Sequence, residues 1–252
     1  MKSEKIQEAI DYINKANEIV VFTGAGISVE SGIPPFRGEN GLWSKYDPNL
    51  LDISYFYDHP EKCWETIKEM FYGFFSEAKP NLAHQAIAKL EEAGYVSTVI
   101  TQNIDNLHYE AGNTDVIEFH GNSKKLVCIE CNKKYDAKFT ELEEFPPRCQ
   151  NCGAILKPDF IFFREPIPSE ALTRSIKLAK KSNNIWLVVG TTGLIYPAAQ
   201  LPITAKLHKN VIIEVNIEPS SYTPNITDVF LEGKATKVLD TLVSELLTTN
   251  NQ

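Results

Sequence analysis

Apolar positions along the chain come in two alternating kinds. Ile6, Ala9, Ile10 and Ile13 recur at helical spacing behind Ser3, a candidate N-cap, and predict an opening amphipathic helix. Ile19-Val20-Val21-Phe22 is a short run rich in β-branched residues that stops at Thr23-Gly24-Ala25-Gly26, the pattern of a buried strand entering a glycine turn. Similar runs lie at Val96–Thr101, Val116–Phe119, Ile185–Val189 and Val211–Val215. Helical patterns separate several of them, at Leu82–Ala93, Glu170–Lys180 and Pro197–Lys206, and a last helix is predicted over Thr236–Leu247. Strands alternating with helices predict an α/β fold, a Rossmann-like doubly wound parallel sheet with both faces covered.

Two stretches interrupt the alternation. Asn40 to Glu77 is dense in aromatics, among them Trp43, Tyr46, Tyr55, Phe56, Tyr57, Trp64, Phe71, Tyr72, Phe74 and Phe75, and reads as a helical insertion or lid. Core packing accounts for any one of these rings as readily as a ligand does. Ser123 to Lys157 carries four cysteines, several lysines and Pro146-Pro147. The expected division is residues 1–39, 80–122 and 158–252 for the sheet domain, 40–79 for the helical insertion and 123–157 for a metal-binding module.

The cysteines are the sharpest chemical signal. Cys128-x2-Cys131 and Cys149-x2-Cys152 are two knuckles, each folding two thiolates toward one point, and together they complete a tetrahedral S4 site suited to one Zn²⁺. Four thiolates close the coordination sphere, so the zinc is expected to be structural. Cys63 stands alone and reads as a small packed hydrophobe.

Composition bounds what else the chain can be. Its 252 residues, 43% hydrophobic and 23% charged, suit one large domain carrying a smaller one. No apolar run approaches the ~18 residues of a membrane span. A net charge of −8 argues against direct nucleic-acid binding. The mixed-charge start lacks the apolar centre of a secretory signal, so a cytoplasmic protein with reduced cysteines is expected.

Polar groups gather where the predicted strands end. Gly24-Ala25-Gly26-Ile27-Ser28 sits where a strand should turn into a helix, a place suited to cradling a pyrophosphate, although Val29 takes the position of a third fingerprint glycine. Phe36 and Arg37 follow in a stiff loop, the ring able to screen a reactive sugar carbon and the guanidinium to meet a diphosphate. Thr101-Gln102-Asn103-Ile104-Asp105, His120-Gly121, Gly190-Thr191-Thr192 and Asn216 end further strands. Open α/β sheets bind ligands at such carboxyl ends, and the groups outline one crevice.

The chain resembles the sirtuins, NAD-dependent protein-lysine deacylases, over nearly its whole length. The resemblance is carried by Gly24-Ala25-Gly26-Ile27-Ser28, Gly32-Ile33-Pro34-x-Phe36-Arg37, Thr101-Gln102-Asn103-Ile104-Asp105, Phe119-His120-Gly121, the paired knuckles, Tyr196-Pro197 and Val215-Asn216. It implies a Rossmann-like domain and a smaller zinc-binding and helical one, with NAD and an acylated lysine of a protein or peptide meeting between them. It implies that the acyl oxygen displaces nicotinamide from the ribose. His120 then acts as general base on a ribose hydroxyl that attacks the acyl carbon, leaving free lysine, nicotinamide and O-acetyl-ADP-ribose when the acyl group is acetyl.

By the same resemblance Asn103 and Asp105 serve the nicotinamide end and Gln102 its ribose, with Ile104 and Phe36 beside them. Gly24, Ala25, Gly26, Ser28, Arg37, Gly190, Thr191 and Thr192 serve the pyrophosphate and adjoining ribose, and Asn216, Glu218 and Ala235 the adenosine end. Ile161, Phe162 and Phe163, with Leu194 and Tyr196, belong to two expected short strands, Ile161–Phe163 and Leu194–Tyr196, that sandwich the substrate peptide. His59, His84, His108 and His208 are read as structural or surface residues.

Departures from the family pattern are informative. Phe163-Arg164-Glu165 stands where the family often has Phe-Gly-Glu, and Gly193 replaces a bulkier residue and is expected to loosen the substrate strand. The stretch Glu69–Ser76 holds no arginine to meet an acyl carboxylate, so acetyl or a longer apolar acyl group is expected over succinyl. The rival readings are an NAD-consuming ADP-ribosyltransferase or NAD hydrolase using the same cleft, and a lysine-rich zinc-ribbon binding module.

Overall fold

The computed structural model describes residues 2–36, 41–72, 77–137 and 145–249. Its centre is a six-stranded parallel sheet of β1 (Ile19–Thr23), β2 (Val96–Thr101), β3 (Val116–Glu118), β7 (Ile185–Val189), β8 (Val211–Asn216) and β9 (Val229–Glu232), in the order β3-β2-β1-β7-β8-β9. The five strands expected from the strand–helix alternation form to within one residue. The sixth, β9, is an added edge strand whose four residues alternate in burial, too short to stand out as an apolar run.

Every residue of β1 and β7 is buried, because each face of the sheet is covered. Ile19 and Val21 of β1 enter one core, packed with Ile6 and Ile10 of α1 (Lys2–Ile13), Ile87 and Leu90 of α4 (Leu82–Glu92), and Leu239, Leu242 and Leu246 of α8 (Ala235–Thr249). Val20 and Phe22 point the other way, toward Ala179 of α6 (Ser169–Ala179) and Leu201 and Ala205 of α7 (Gln200–Leu207). Helix α7 begins three residues later than its pattern suggests, because Tyr196–Ala199 form a turn closed by Ala199 N–H donating to the Ile195 carbonyl at 2.8 Å.

The two interrupting stretches share one core. In the cysteine-bearing stretch β4 (Gly121–Cys128) lies antiparallel between β5 (Lys134–Asp136) and β6 (Leu156–Phe160), so β4 and β6 run past the boundaries expected at 123 and 158. In the helical stretch α2 (Ile53–Asp58) is N-capped by Asp52 and is followed by α3 (Pro60–Ile67). Phe56, Trp64 and Ile67 pack with Leu126, Leu156, Phe160 and Phe162, and Trp64 Nε1 donates to the Leu156 carbonyl at 2.9 Å. Cys63 is fully buried in this core, and burial pushes its thiol up to about 11, which suits the packing role expected of it. Among the described residues no helix is long and apolar enough to cross a membrane.

Candidate active site

The strand order places the site. β1 sits between β2 and β7, so the chain leaves its neighbours in opposite directions there, and a crevice opens beyond the carboxyl ends of the strands. Gly24 follows β1 and Gly190 follows β7. Gly26 N–H donates to the Gly190 carbonyl at 2.8 Å, and a Cβ on Gly190 would come within 2.5 Å of Ile27 N. Gly190 also has φ +62°. The glycines are therefore needed first for two loops of this chain to meet at the switch point. The segment after Gly24, where the strand was expected to turn into a helix, forms a 3₁₀ helix, Ala25–Ser31.

The crevice has a volume of about 950 Å³. Its lining includes Gly24, Ala25, Gly26 and Phe36 from the first turn, Gln102, Asn103 and Ile104 after β2, and His120 after β3. Thr191, Thr192, Asn216, Glu218 and Ala235 line the other end. Side-chain hydrogen bonds tie the strand ends together: Gln102 Nε2 donates to Thr191 Oγ1 at 3.2 Å, and Asn216 Nδ2 to the Thr191 carbonyl at 3.0 Å. Amides and hydroxyls on largely apolar walls suit a dinucleotide, which needs partners for its ribose hydroxyls and carboxamide and cover for its rings. Arg37 lies outside the described residues.

His120 is set up as a base. Its Nδ1 lies 3.0 Å from the Gln102 carbonyl, which can only accept, so Nδ1 carries the proton and Nε2 keeps its lone pair. Burial lowers its pKa below the ordinary imidazole value, opposed by the bond to Gln102, so the ring is neutral at pH 7.

The four cysteines converge. Their sulfurs all lie within 4.8 Å of one another, with Cys128–Cys152 at 3.5 Å and Cys131–Cys149 at 3.6 Å. A tetrahedron with Zn–S bonds of about 2.3 Å has edges of about 3.8 Å, so the residues fit one Zn²⁺. Cys149 and Cys128 are buried in the shared core, which makes the metal a cross-link of that lobe.

Residues 24–197 match the family model described as the Sir2 family. The chain belongs to the Sir2 family. It is 45% identical over 247 residues to an NAD-dependent protein deacylase of Pyrococcus abyssi, covering 96% of this chain and 98% of the relative. A Sir2 homologue solved with ADP-ribose superposes with a TM-score of 0.92 at 36% identity, covering 97% of this chain and 98% of the other. A Sir2 enzyme solved with a deacetylated peptide and 3′-O-acetyl ADP-ribose gives 0.89 at 37% identity, covering 95% and 98%. This sirtuin is thus an NAD-dependent protein deacylase carrying a four-cysteine zinc site.

Ser28 and Asp105 of this sirtuin lie beneath the crevice instead of on its wall. Ser28 Oγ donates to Asp105 Oδ2 at 2.7 Å and accepts from Asn103 Nδ2 at 3.1 Å. Asp105 is buried, which raises its pKa, while Ser28 and the Leu107 N–H bond its carboxylate. Two histidines read from sequence as structural or surface residues join this layer. His84 Nε2 is 3.5 Å from Ser28 Oγ, and His108 Nε2 is 3.0 Å from Thr23 Oγ1, which donates to Thr101 Oγ1 at 2.8 Å. His84 occupies the third helical position after the N-cap Asn81, a capping-box spacing that could have marked it.

Neither expected substrate strand is formed. Ile161, Phe162 and Phe163 spend their N–H groups inside the chain, on the His120 carbonyl, the Glu165 carboxylate and the Leu51 carbonyl. Residues 194–196 form a bend and turn, with Leu194 and Tyr196 exposed at the crevice. The sequence shows apolar residues but not which main-chain groups local contacts have taken. Gly193 does not loosen this segment: it has φ +68°, its carbonyl accepts from Ser221 Oγ at 2.9 Å, and a Cβ would fall 2.3 Å from that oxygen.

Proposed function

We propose that this sirtuin deacetylates lysine in proteins, with His120 as general base, Asn103 and Asp105 supporting the nicotinamide end, and apolar acyl groups favoured over succinyl. The reading keeps the sheet domain and the smaller lobe expected from sequence, with the lobe widened to take in the whole of β4 and β6, and has NAD and the acyl-lysine meet between them. The single observation that carries it is the geometry of His120, whose unprotonated Nε2 is presented by a ring that lines the crevice.

NAD supplies an electrophilic ribose carbon and the hydroxyls that later take the acyl group. His120 accepts a proton at Nε2 from a ribose hydroxyl while the Gln102 carbonyl holds Nδ1–H, so the ring keeps one orientation through the transfer. Asn103 is fixed by the Gly24 carbonyl at 3.2 Å and by Ser28, which holds its amide at the crevice wall. Phe36, edged by Trp43 at 5.4 Å between ring centres, supplies an apolar cover that excludes water. Substrate main chain is read at the 194–196 side, where Leu194 and Tyr196 stand exposed.

The test is nicotinamide release by purified protein with NAD, with and without an acetyl-lysine peptide. Release that depends on peptide and yields O-acetyl-ADP-ribose is expected, and His120→Ala should cut it by about 10²–10⁴-fold. Release indifferent to peptide would overturn the reading in favour of NAD hydrolysis or ADP-ribosyl transfer. A succinyl-lysine peptide turned over as fast as the acetyl one would overturn the acyl preference alone.

A further inference from the structure

Arg164 occupies the left-handed region at φ +71°, a conformation that costs an arginine backbone strain and a glycine almost none. It lies at the Phe163 end of the crevice, with its side chain 66% exposed. Its Nη2 pairs with Asp52 Oδ1. That contact uses one corner of a planar fork bearing five N–H donors, so another edge of the guanidinium faces solvent and the crevice.

The neighbouring charges are committed elsewhere. Glu165 holds Lys157 Nζ at 3.0 Å and the Phe162 N–H at 2.7 Å. At the Ala235 end, Glu30 holds Lys234 at 3.3 Å and Thr236 Oγ1 at 2.6 Å. Among the described lining residues the cations are Arg164 and Lys234, so the arginine is the cation at the Phe163 end. Asp52 does not depend on it: its Oδ1 also accepts the N–H groups of Ser54 at 2.9 Å and Tyr55 at 3.3 Å. The guanidinium can therefore turn toward a second carboxylate without stranding the first.

We infer that Arg164 is a specificity-determining residue that selects substrate peptides with an acidic side chain beside the acyl-lysine. The inference rests on the peptide-binding reading of the crevice. The ion pair is solvent-exposed, so its contribution is a few-fold and falls with salt. The overall charge of −8 disfavours acidic peptides at long range, which makes a local cation the place where one would be recognised.

The experiment is a one-pot competition among acetyl-lysine peptides that differ only in carrying Asp, Gly or Lys next to the acetyl-lysine, read by mass spectrometry as a ratio of kcat/KM. In the wild-type chain Asp should exceed Gly by about three- to fivefold at low salt and by less at high salt. Arg164→Gly, which relieves the positive φ, should bring that ratio to one or below, and Arg164→Lys should keep part of it. Asp52→Asn preserves the N-cap and should raise the ratio. Taking ratios within each variant cancels effects on NAD binding or chemistry. An equal ratio in wild type and Arg164→Gly overturns the inference, as does a wild-type preference for Lys over Asp. Absence of turnover with all three peptides, read as nicotinamide release in the same mixtures, strikes the deacylase reading itself.

Discussion

The sheet region and the cysteine-bearing lobe hold together by different means. In the sheet region two apolar layers sandwich strands whose residues are buried on both sides, and the polar groups beneath the crevice are bonded to one another. The lobe has a three-stranded sheet, two of whose strands are β5 with three residues and β6 with five, and its core is closed by Cys128 and Cys149. A sheet of that size buries little apolar surface by itself and leans on α2 and α3, and the four thiolates can add a metal cross-link to that packing. The groups proposed for catalysis sit on the sheet side, and the segment carrying Phe162, Phe163 and Arg164 adjoins the core that holds Cys128 and Cys149. On the proposed reading, chemistry and substrate recognition rest on separately stabilised parts.

Removing zinc should break this comparison most severely. Structural zinc contributes about 10–16 kcal/mol of apparent binding free energy in small zinc modules. Chelation, or Cys149→Ser, should expose Trp64, whose indole is buried and bonded to Leu156, while Trp186 of β7 stays buried. Peptide-dependent turnover should fall at least a hundredfold, with far-ultraviolet dichroism of the sheet region largely retained. Turnover that survives complete zinc loss, measured by metal analysis alongside activity, would show that the lobe stands without its metal.

The same contrast explains what the sequence made legible. Ile19–Phe22 and Ile185–Val189 announce themselves because burial on both faces demands continuous apolar runs, and the cysteine pairs announce themselves because an S4 site demands that spacing. β9 and β5 stayed hidden, since short edge strands carry too few apolar residues to stand apart. The crevice wall was legible at Gln102, Asn103 and His120, each placed at a strand end. In the layer below, Ser28 and Asp105 were legible from their motifs and His84 from its capping-box spacing to Asn81, but His108 reaches Thr23 through a tertiary contact that no local spacing encodes. Arg164 is visible in sequence as a departure, but its partner Asp52 lies 112 residues away.

A smaller effect compares one glycine from each part. Gly190 has φ +62° and a Cβ there would strike Ile27 N and Gly26 backbone, whereas Gly153 beside the zinc site has φ +77° with nothing within 4 Å of a Cβ. Gly153→Ala should cost about 1–2 kcal/mol, the strain of a left-handed alanine alone. Gly190→Ala adds overpacking of about 1–3 kcal/mol and displaces the turn that lines the crevice. Calorimetric NAD affinity should drop more than tenfold for Gly190→Ala and stay within twofold for Gly153→Ala. Equal losses would mean that the glycine contact at the switch point does not shape the NAD site.

The subtlest difference is in acid. Burial pushes His84 down to about 3 and His108 down to about 4, so both are neutral in the folded sheet region and take up protons once unfolded. The unfolded chain then binds more protons below about pH 6.5, and stability must decline as pH falls from there until the folded values are reached. Each histidine adds a slope of at most about 1.4 kcal/mol per pH unit across that window. Zinc thiolates also protonate in acid, so wild type alone cannot assign the loss. His108→Gln removes the titrating ring and keeps an amide able to meet Thr23 Oγ1. Its urea midpoint should lie below that of wild type at pH 7.5 and approach it between pH 6.5 and 4.5, because zinc loss is common to both chains and cancels in the difference. Parallel midpoints across that range would mean His108 is already charged in the folded protein, and the acid sensitivity would then belong to the zinc lobe.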